Sequence, residues 1–185
     1  VSGNVIFGMN KGTMGASSGK WYFEARVNTA QNDTAIALAN ENADTNAQYT
    51  GETTNSVGYL TDGRFFYNGS AIATYSSLSA GNIFQMAYDC DSGKIFVGKN
   101  NTWQNSGNPA SGTNPVQTVS SWNFFLPAAR TVGSGVLHFN FGQDSSFNGD
   151  STAQNNADGN GYGDFYYTPP SGFFALCTKN LAEYG

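Results

Sequence analysis

The chain has 185 residues and a mass of 19.7 kDa, a size that fits a single all-β domain. Charged residues make up 11% of the sequence and the formal net charge is −5, so no basic stripe is present for a phosphate backbone and we expect no nucleic-acid partner. No apolar run approaches the roughly 18 residues of a membrane span, so we expect no membrane insertion.

The sequence begins at Val1 rather than Met, and residues 1–8 (VSGNVIFG) already resemble a strand. We therefore expect residues 1–185 to form one domain that is a segment of a longer protein. The two cysteines, Cys90 and Cys177, could form at most one bridge, and both lie beside apolar strand residues. Two buried free thiols are the simpler interpretation, and the pattern leaves a bridge open.

The first strong strand pattern covers residues 20–28 (KWYFEARVN). Its alternation places Trp21 and Phe23 on a dry face and Glu24 and Arg26 on a wet face, where the last two could form a surface ion pair. Residues 33–40 follow with small alanines that alternate with larger apolar residues, as expected for a strand packed against a crowded neighbour.

Hairpin signals follow at short intervals. Residues 55–61 and 63–68 flank an Asp62-Gly63 turn, and Asn68-Gly69 leads into residues 71–75. Residues 80–100 then predict a central hairpin. Turns every 8 to 12 residues or so, without a 3.6-residue stripe, predict an all-β fold, a two-sheet antiparallel β-sandwich with long polar loops and little or no helix.

The second half contains longer connections. Residues 101–121 form a polar connection, and residues 124–127 (FFLP) predict a short apolar strand that ends at a proline, which suits an edge strand or the end of a strand. Residues 135–142 alternate again, with Leu137, Phe139 and Phe141 inward. Residues 144–162 are too poor in apolar side chains to form a core, and residues 173–177 predict a last strand.

Several short motifs occur in a fixed order over about 160 residues. They are residues 18–24 (SGKWYFE), 58–59 (GY), 62–64 (DGR), 68–69 (NG), 80–83 (AGNI), 88–95 (YDCDSGKI), 98–100 (GKN), 125–128 (FLPA), 139–142 (FNFG) and 170–173 (PSGF). In this order they resemble the SPRY domain family, and more closely its bacteriophage branch, whose members occur in virion-associated or tail-related proteins.

The resemblance implies two packed antiparallel sheets, with the appearance of a concanavalin-like jelly roll, and a binding module rather than an enzyme. Residues 144–168 depart from the shorter family pattern as an inserted polar loop before the last strand. The region before Gly12 also matches poorly.

Enzymatic motifs are weak. His138, the only histidine, has neither a nucleophile nor an orienting acid at a recognisable spacing, and no carboxylate pair is marked as in a glycosidase. Asp158, Asn160 and Asp164 partly resemble a calcium loop, but no bidentate Glu follows at its twelfth position. A flexible turn explains these residues better, so we expect no metal or cofactor, with Ca²⁺ as the weak alternative.

Aromatic residues in polar loops are the best binding candidates. Aromatic side chains are 15% of the chain and most of them must fill the core, including Trp21, Phe23, Phe84, Phe139 and Phe141. Trp103 and Trp122 lie in or beside polar loops instead, where a ring could contact a partner or fold back to cap the sandwich. The predicted binding residues are Tyr49, Trp103, Asn105 and Trp122.

Two hypotheses follow, with catalysis as a third and weaker one. The first is a non-enzymatic module of a bacteriophage virion protein (capsid decoration, tail or fibre), outside the cell, whose loops contact other virion proteins, copies of itself or a host surface. The second is a lectin-like module that binds glycans through Trp103, Tyr49 and nearby Asn side chains. The third is a glycosidase, which needs two carboxyl groups in one cleft.

Overall fold

The computed structural model of the chain describes residues 8–185, so most of the strand predicted over residues 1–8 lies outside the described residues. The strands are β1 (Asn10–Lys11), β2 (Lys20–Thr29), β3 (Ala35–Ala39), β4 (Ser56–Leu60), β5 (Arg64–Tyr67), β6 (Ser70–Thr74), β7 (Ile83–Asp89), β8 (Lys94–Lys99), β9 (Thr102–Trp103), β10 (Gln117–Thr118), β11 (Leu126–Arg130), β12 (Val136–Asn140) and β13 (Phe174–Ala175). A 3₁₀ turn spans Gln104–Ser106, and helix α1 spans Thr178–Tyr184.

The strands form two sheets. The first has six strands in the order β1-β11-β3-β4-β5-β6, and the second has the order β10-β8-β7-β2-β12, with β9 pairing β8. All pairs are antiparallel except β13 with β2, which run parallel. The predicted two-sheet sandwich is confirmed, and so are the hairpins β4-β5 and β7-β8.

The core lies between the two sheets, because alternate residues of each strand point inward. Tyr59 of β4 and Phe84 of β7 meet across the interface with ring centroids 5.2 Å apart. Trp21 and Phe23 are fully buried, as predicted, whereas Phe139 and Phe141 are only partly buried against the same core. The outer face of each sheet is thus left for other contacts.

The outer face of the seven-stranded sheet is covered. Residues 144–168, called here the covering segment, form no strand or helix, although Asn156 and Phe165 form an isolated bridge. Phe165 is fully buried, and its ring meets that of Tyr22 with centroids 5.1 Å apart. The inserted polar loop predicted from the sequence therefore packs on β2.

Three details differ from the sequence predictions. Pro127 lies inside β11, an internal strand between β1 and β3, rather than in an edge strand or at the end of a strand. Its carbonyl accepts a hydrogen bond from Gly12 N at 2.7 Å, so the missing N–H of proline does not prevent pairing with β1. The apolar residues 173–177 contribute only the two-residue strand β13, and helix α1 after them was not predicted.

In residues 8–185, the structure has no helix that combines the length and the apolar character needed to cross a membrane. Cys90 and Cys177 are both free thiols; Cys90 is buried and Cys177 is half-buried. Burial raises the pKa of the Cys90 thiol well above its usual value, which keeps it protonated.

Candidate binding surfaces

The outer face of the six-stranded sheet carries a cleft. In β5 the side chain of Phe65 is fully buried in the core, so its neighbours Arg64 and Phe66 point the other way. The cleft has a volume of about 370 Å³. We call it the outer cleft, and its lining residues are Asp33, Gln48, Tyr49, Leu60, Arg64, Phe66 and Arg130.

Arg64 is held in the outer cleft by two carboxylates and one ring. Its Nε donates to Asp62 Oδ2 at 2.7 Å and its Nη2 donates to Asp33 Oδ1 at 2.9 Å. The guanidinium lies over the Phe66 ring, 5.2 Å from the centroid. The hydrogen bond to Asp62 raises the pKa of Arg64 further, so the group stays charged. With 39% of its side chain exposed, it can still meet a ligand.

Tyr49 forms the aromatic wall of the outer cleft. Its ring meets the Phe66 ring edge-on with centroids 5.2 Å apart, and its hydroxyl donates to the Gly69 carbonyl at 3.3 Å. These contacts fix a half-buried ring against the sheet. The structure therefore places this predicted binding residue in a cleft, beside two arginines that the sequence did not single out.

Arg130 lies at the base of the same cleft and is 4% exposed. Burial lowers the pKa of Arg130, and the charge of Asp33 opposes that effect. The cleft lining thus carries two guanidinium groups and one carboxylate, although the whole chain has a net charge of −5. Because Asp33 and Asp62 both bind Arg64 and Arg130 is buried, the cleft is polar rather than strongly basic.

Trp122 is a core residue. It is 5% exposed, its ring packs against Phe125 at 5.4 Å, and its indole N–H donates to the Thr54 carbonyl at 2.7 Å. This burial corrects the expectation that Trp122 offers its ring to a partner. The alternative already considered, a tryptophan folded back to cap the sandwich, describes its position.

Trp103 and Asn105 lie near the other sheet. Trp103 is half-buried against the cluster that contains Tyr22 and Phe165, on the outer face of the seven-stranded sheet. The Asn105 amide donates to the carbonyls of Asn114 and Pro115, at 3.4 and 3.0 Å, and so closes its own loop. Tyr49 and Trp103 therefore lie on opposite outer faces of the sandwich and cannot form one glycan platform.

Glu24 holds the covering segment in place. It is fully buried, which corrects the prediction of a wet face, and its carboxylate accepts hydrogen bonds from the backbone N–H groups of Tyr166 and Tyr167 at 2.8 and 2.7 Å. Tyr22 and Asn140 donate to it as well, at 2.9 and 3.3 Å. Burial raises the pKa of Glu24 to about 7, although all four hydrogen bonds act in the opposite direction.

The expected pair of Glu24 with Arg26 does not form, because Arg26 turns to the covering segment. Its guanidinium donates to Ser151 at 3.1 Å and lies 3.8 Å from the Asp150 carboxylate. His138 Nδ1 is 3.0 Å from the same carboxylate. His138 thus belongs to a structural cluster that fixes residues 150–151, and no nucleophile contacts it in the described structure.

The weak calcium candidate is organised as a turn. Asp158 Oδ1 accepts from the backbone N–H groups of Asn160 and Tyr162, and its Oδ2 accepts from Ala175 N and the Asn180 amide, all at 2.8 to 3.0 Å. A cation would have to displace these donors. Within residues 8–185, the His, Cys, Asp and Glu side chains form no group of three or more that could hold a metal ion.

Known proteins resemble this chain in fold rather than in sequence. Neither a protein-family model nor a curated protein sequence matches the chain. Among solved structures, the SPRY domain of human HERC1 aligns with a TM-score of 0.59 at 17% identity, over 74% of this chain and 84% of that chain. The fold is SPRY-like. At 17% identity this similarity establishes the fold alone, so the function of the chain has to be argued from its surface.

Tyr49 is the one residue of the outer cleft that the sequence pattern predicted as a binding residue. Asp33, Arg64 and Arg130 belong to different strands or turns, and no local spacing connects them. The one available signal was the scarcity of positive charge, because Arg64 and Arg130 are two of only eight Lys and Arg residues in the chain.

Proposed function

We propose that this SPRY-like chain is a non-enzymatic protein-binding module whose contact site is the outer cleft. The main support for this proposal is the outer cleft, where the Phe66 ring holds both Tyr49 and Arg64 in place. The covering segment lies on the other sheet and leaves this face open. Tyrosine and arginine are enriched among residues that dominate interface energy, and rigid positions reduce the entropy lost on binding.

The carboxylates of this region support binding rather than catalysis. Asp33 and Asp62 both bind the Arg64 guanidinium, and their side chains are 51% and 31% exposed. A glycosidase needs one carboxyl group kept protonated in an apolar pocket and a second one aimed at the sugar. Two carboxylates that neutralise one arginine serve neither purpose. We propose that the module works without a metal or a cofactor.

We further propose that the module belongs to a bacteriophage particle, as part of a capsid decoration, tail or fibre outside the cell. Its partners would be other virion proteins or copies of this chain, with a host-surface protein or glycan as the alternative. The support for this placement is the resemblance of the ordered sequence motifs to phage-type SPRY domains. Immunogold or Fab labelling of intact particles tests it, and a particle that lacks the protein contradicts it.

The lectin alternative loses its proposed platform, because Tyr49 and Trp103 lie on opposite faces. A glycan site would have to use Tyr49 together with the polar groups of the outer cleft. A glycan array separates the two functions: binding that is lost in Tyr49→Ala and that no peptide competes would favour the lectin.

A peptide-display selection against the folded domain tests the binding proposal directly. Peptides selected by the wild type should bind Arg64→Ala and Tyr49→Ala at least tenfold more weakly, as expected for truncation of hot-spot side chains. The matched control is Lys179→Ala, which removes one positive charge from the exposed surface of α1. Melting curves of all variants must show that each one is folded.

Two results would contradict the proposal. Peptides that bind both cleft variants as tightly as the wild type, or that lose affinity equally for Lys179→Ala, place the contact elsewhere.

A further inference from the structure

A buried chain of polar groups connects the covering segment to the turn after β8. Tyr22 Oη donates to Glu24 Oε1 at 2.9 Å, Gln85 Nε2 donates to Tyr22 Oη at 3.2 Å, and Asn101 N donates to Gln85 Oε1 at 2.6 Å. Glu24, Tyr22 and Gln85 are all fully buried. The second hydrogen of the Gln85 amide faces Asn101 Oδ1 at 3.5 Å, so each hydrogen in this chain has a protein partner and the direction of each bond depends on the next group.

The carboxylate of Glu24 is surrounded by donors. Tyr22 Oη and Tyr167 N donate to Oε1, while Tyr166 N and Asn140 Nδ2 donate to Oε2. Of the four, only the Tyr22 hydroxyl oxygen has a lone pair that could accept a hydrogen bond in return. A proton bound at Oε1 would therefore point to Tyr22 Oη and reverse the direction of that hydrogen bond.

The reversal has a consequence for Gln85. Once Tyr22 accepts from Glu24, its own O–H needs another acceptor, and Gln85 is the adjacent group. If the Gln85 amide turns by half a rotation, its Oε1 faces Tyr22 and its NH₂ faces Asn101. The hydrogen bond from Asn101 N to Gln85 Oε1 is then lost because two donors face each other, and so is the longer one from Gln85 Nε2 to Asn101 Oδ1, where two acceptors meet.

We propose that this chain of groups is a proton-controlled relay, in which a proton taken up from water by Glu24 turns the Gln85 amide and releases the Asn101 backbone N–H. Asn101 lies directly before β9, which contains Trp103, so the relay connects the contact under the covering segment with the loop that carries Trp103. The relay is a conformational device independent of the outer cleft, which lies on the opposite face.

The other titratable groups near Glu24 are either tyrosines or charged residues that lie farther along the same face. Tyr22 faces it from its own strand, and Tyr166 and Tyr167 face it from the covering segment, while β7 and β12 contribute the neutral amides of Gln85 and Asn140. The charged groups farther along the same face form the cluster described above, namely Arg26, His138 and Asp150. Burial raises the pKa of Tyr22 and Tyr167 above an ordinary value near 10, whereas it raises the pKa of Glu24 to about 7.

An NMR titration of the ¹⁵N-labelled protein between pH 5 and 9 tests the relay. In the wild type, the amide resonances of Asn101, Tyr166 and Tyr167 should move with one common midpoint, and the Asn101 proton should shift upfield at low pH as its hydrogen bond is lost. Tyr22→Phe removes the middle hydroxyl, so Tyr166 and Tyr167 should still titrate while Asn101 no longer responds. Glu24→Gln should abolish all three responses.

The control is His138→Asn, which removes the nearby histidine and should leave the Asn101 response unchanged. The relay is overturned if Asn101 still titrates with the common midpoint in Tyr22→Phe, if its midpoint in the wild type differs from that of Tyr166 and Tyr167, or if His138→Asn removes its response. Because Tyr22→Phe keeps the ring and its packing on Phe165, the test stands even if Glu24→Gln does not fold.

Discussion

The alternation in residues 20–28 correctly predicted which face of β2 carries Glu24, but it did not predict that this face is buried. The period of two placed it away from the core, and it does point to the outer face of β2. That face is buried because residues 144–168 lie on it, more than a hundred positions later in the chain. No pattern within residues 20–28 could reveal a cover that comes from so distant a segment.

The stability of the protein should fall as the pH rises from about 4.5 to about 7 because of Glu24. Its pKa is about 7 in the folded chain and 4.5 as an ordinary value, so the folded state binds the proton more tightly. The contribution is fully present below pH 4.5 and is lost as the pH rises through 7, with a total of about 3 kcal/mol. Urea unfolding at pH 4.5, 6 and 8 measures it.

The comparison with Glu24→Gln isolates this contribution, because the variant carries no titrating group at position 24. It should be less stable than the wild type by about 1–3 kcal/mol, since Tyr22 Oη can accept from its NH₂ but the Tyr167 N–H cannot, and the difference should shrink as the pH rises. A difference that is constant from pH 4.5 to 8 would show that Glu24 does not titrate in this range.

Gly58 lies in a place that has no room for a larger side chain. A Cβ built on Gly58 would lie 2.6 Å from Thr50 Cβ and 3.1 Å from Thr50 O. Gly58→Ala should therefore destabilise the fold by about 1–3 kcal/mol through overpacking, and Thr50→Gly should recover part of the loss. Gly159→Ala, where the nearest atom is 3.8 Å away, is the control in thermal unfolding. Equal melting temperatures for both alanine variants would refute the clash.

The strands are the elements that the sequence predicted well, because one face of each strand packs on the core and its residues alternate accordingly. Helix α1 was missed since seven residues are too few to show a helical stripe. Pro127 was misplaced because proline is common at edges, whereas here β1 pairs only with Ala128 and Ala129 and reaches Pro127 through its carbonyl. The covering segment is held by side chain to backbone hydrogen bonds, which leave no periodic signal.

Phe165 is the main apolar contact between the covering segment and the sheet, so Phe165→Ala should cost about 3–5 kcal/mol. Urea unfolding measures the loss of stability, and hydrogen exchange should show weaker protection of the Tyr166 and Tyr167 amides. Phe147→Ala is the matched control within the same segment, because Phe147 is also buried and its ring lies against Tyr166, with centroids 6.3 Å apart. If Phe147→Ala deprotects these two amides as much as Phe165→Ala does, Phe165 is not the main anchor.

For the whole molecule, the sequence predicted the architecture better than the site. The fold follows from many short patterns that agree with one another, and the order of these patterns carried the family resemblance. The outer cleft requires Asp33, Tyr49, Arg64 and Arg130 to meet, which depends on the order of strands in the six-stranded sheet. Trp122 was misjudged because a polar sequence around a tryptophan does not show whether its ring turns inward.

Removal of residues 173–185 should abolish cooperative folding. These residues supply β13, the buried Phe173 and Leu176, and helix α1, whose Leu181 and Tyr184 pack on the core. Removal of Gly185 alone is the control and should leave the fold intact. Circular dichroism and the dispersion of amide resonances measure the outcome, and a well-dispersed spectrum for the shorter chain would contradict the prediction.

The position of β2 in the middle of its sheet also has a consequence for how the chain acquires its structure. Trp21 pairs with Tyr88 on one side and with Phe174 on the other, so the earliest long strand meets its last partner only when the end of the domain has been synthesised. Pairings so distant in sequence fold slowly, in the range of about milliseconds to seconds. During translation the apolar face of β2 therefore stays exposed to solvent. In this interval the emerging chain can aggregate or bind chaperones.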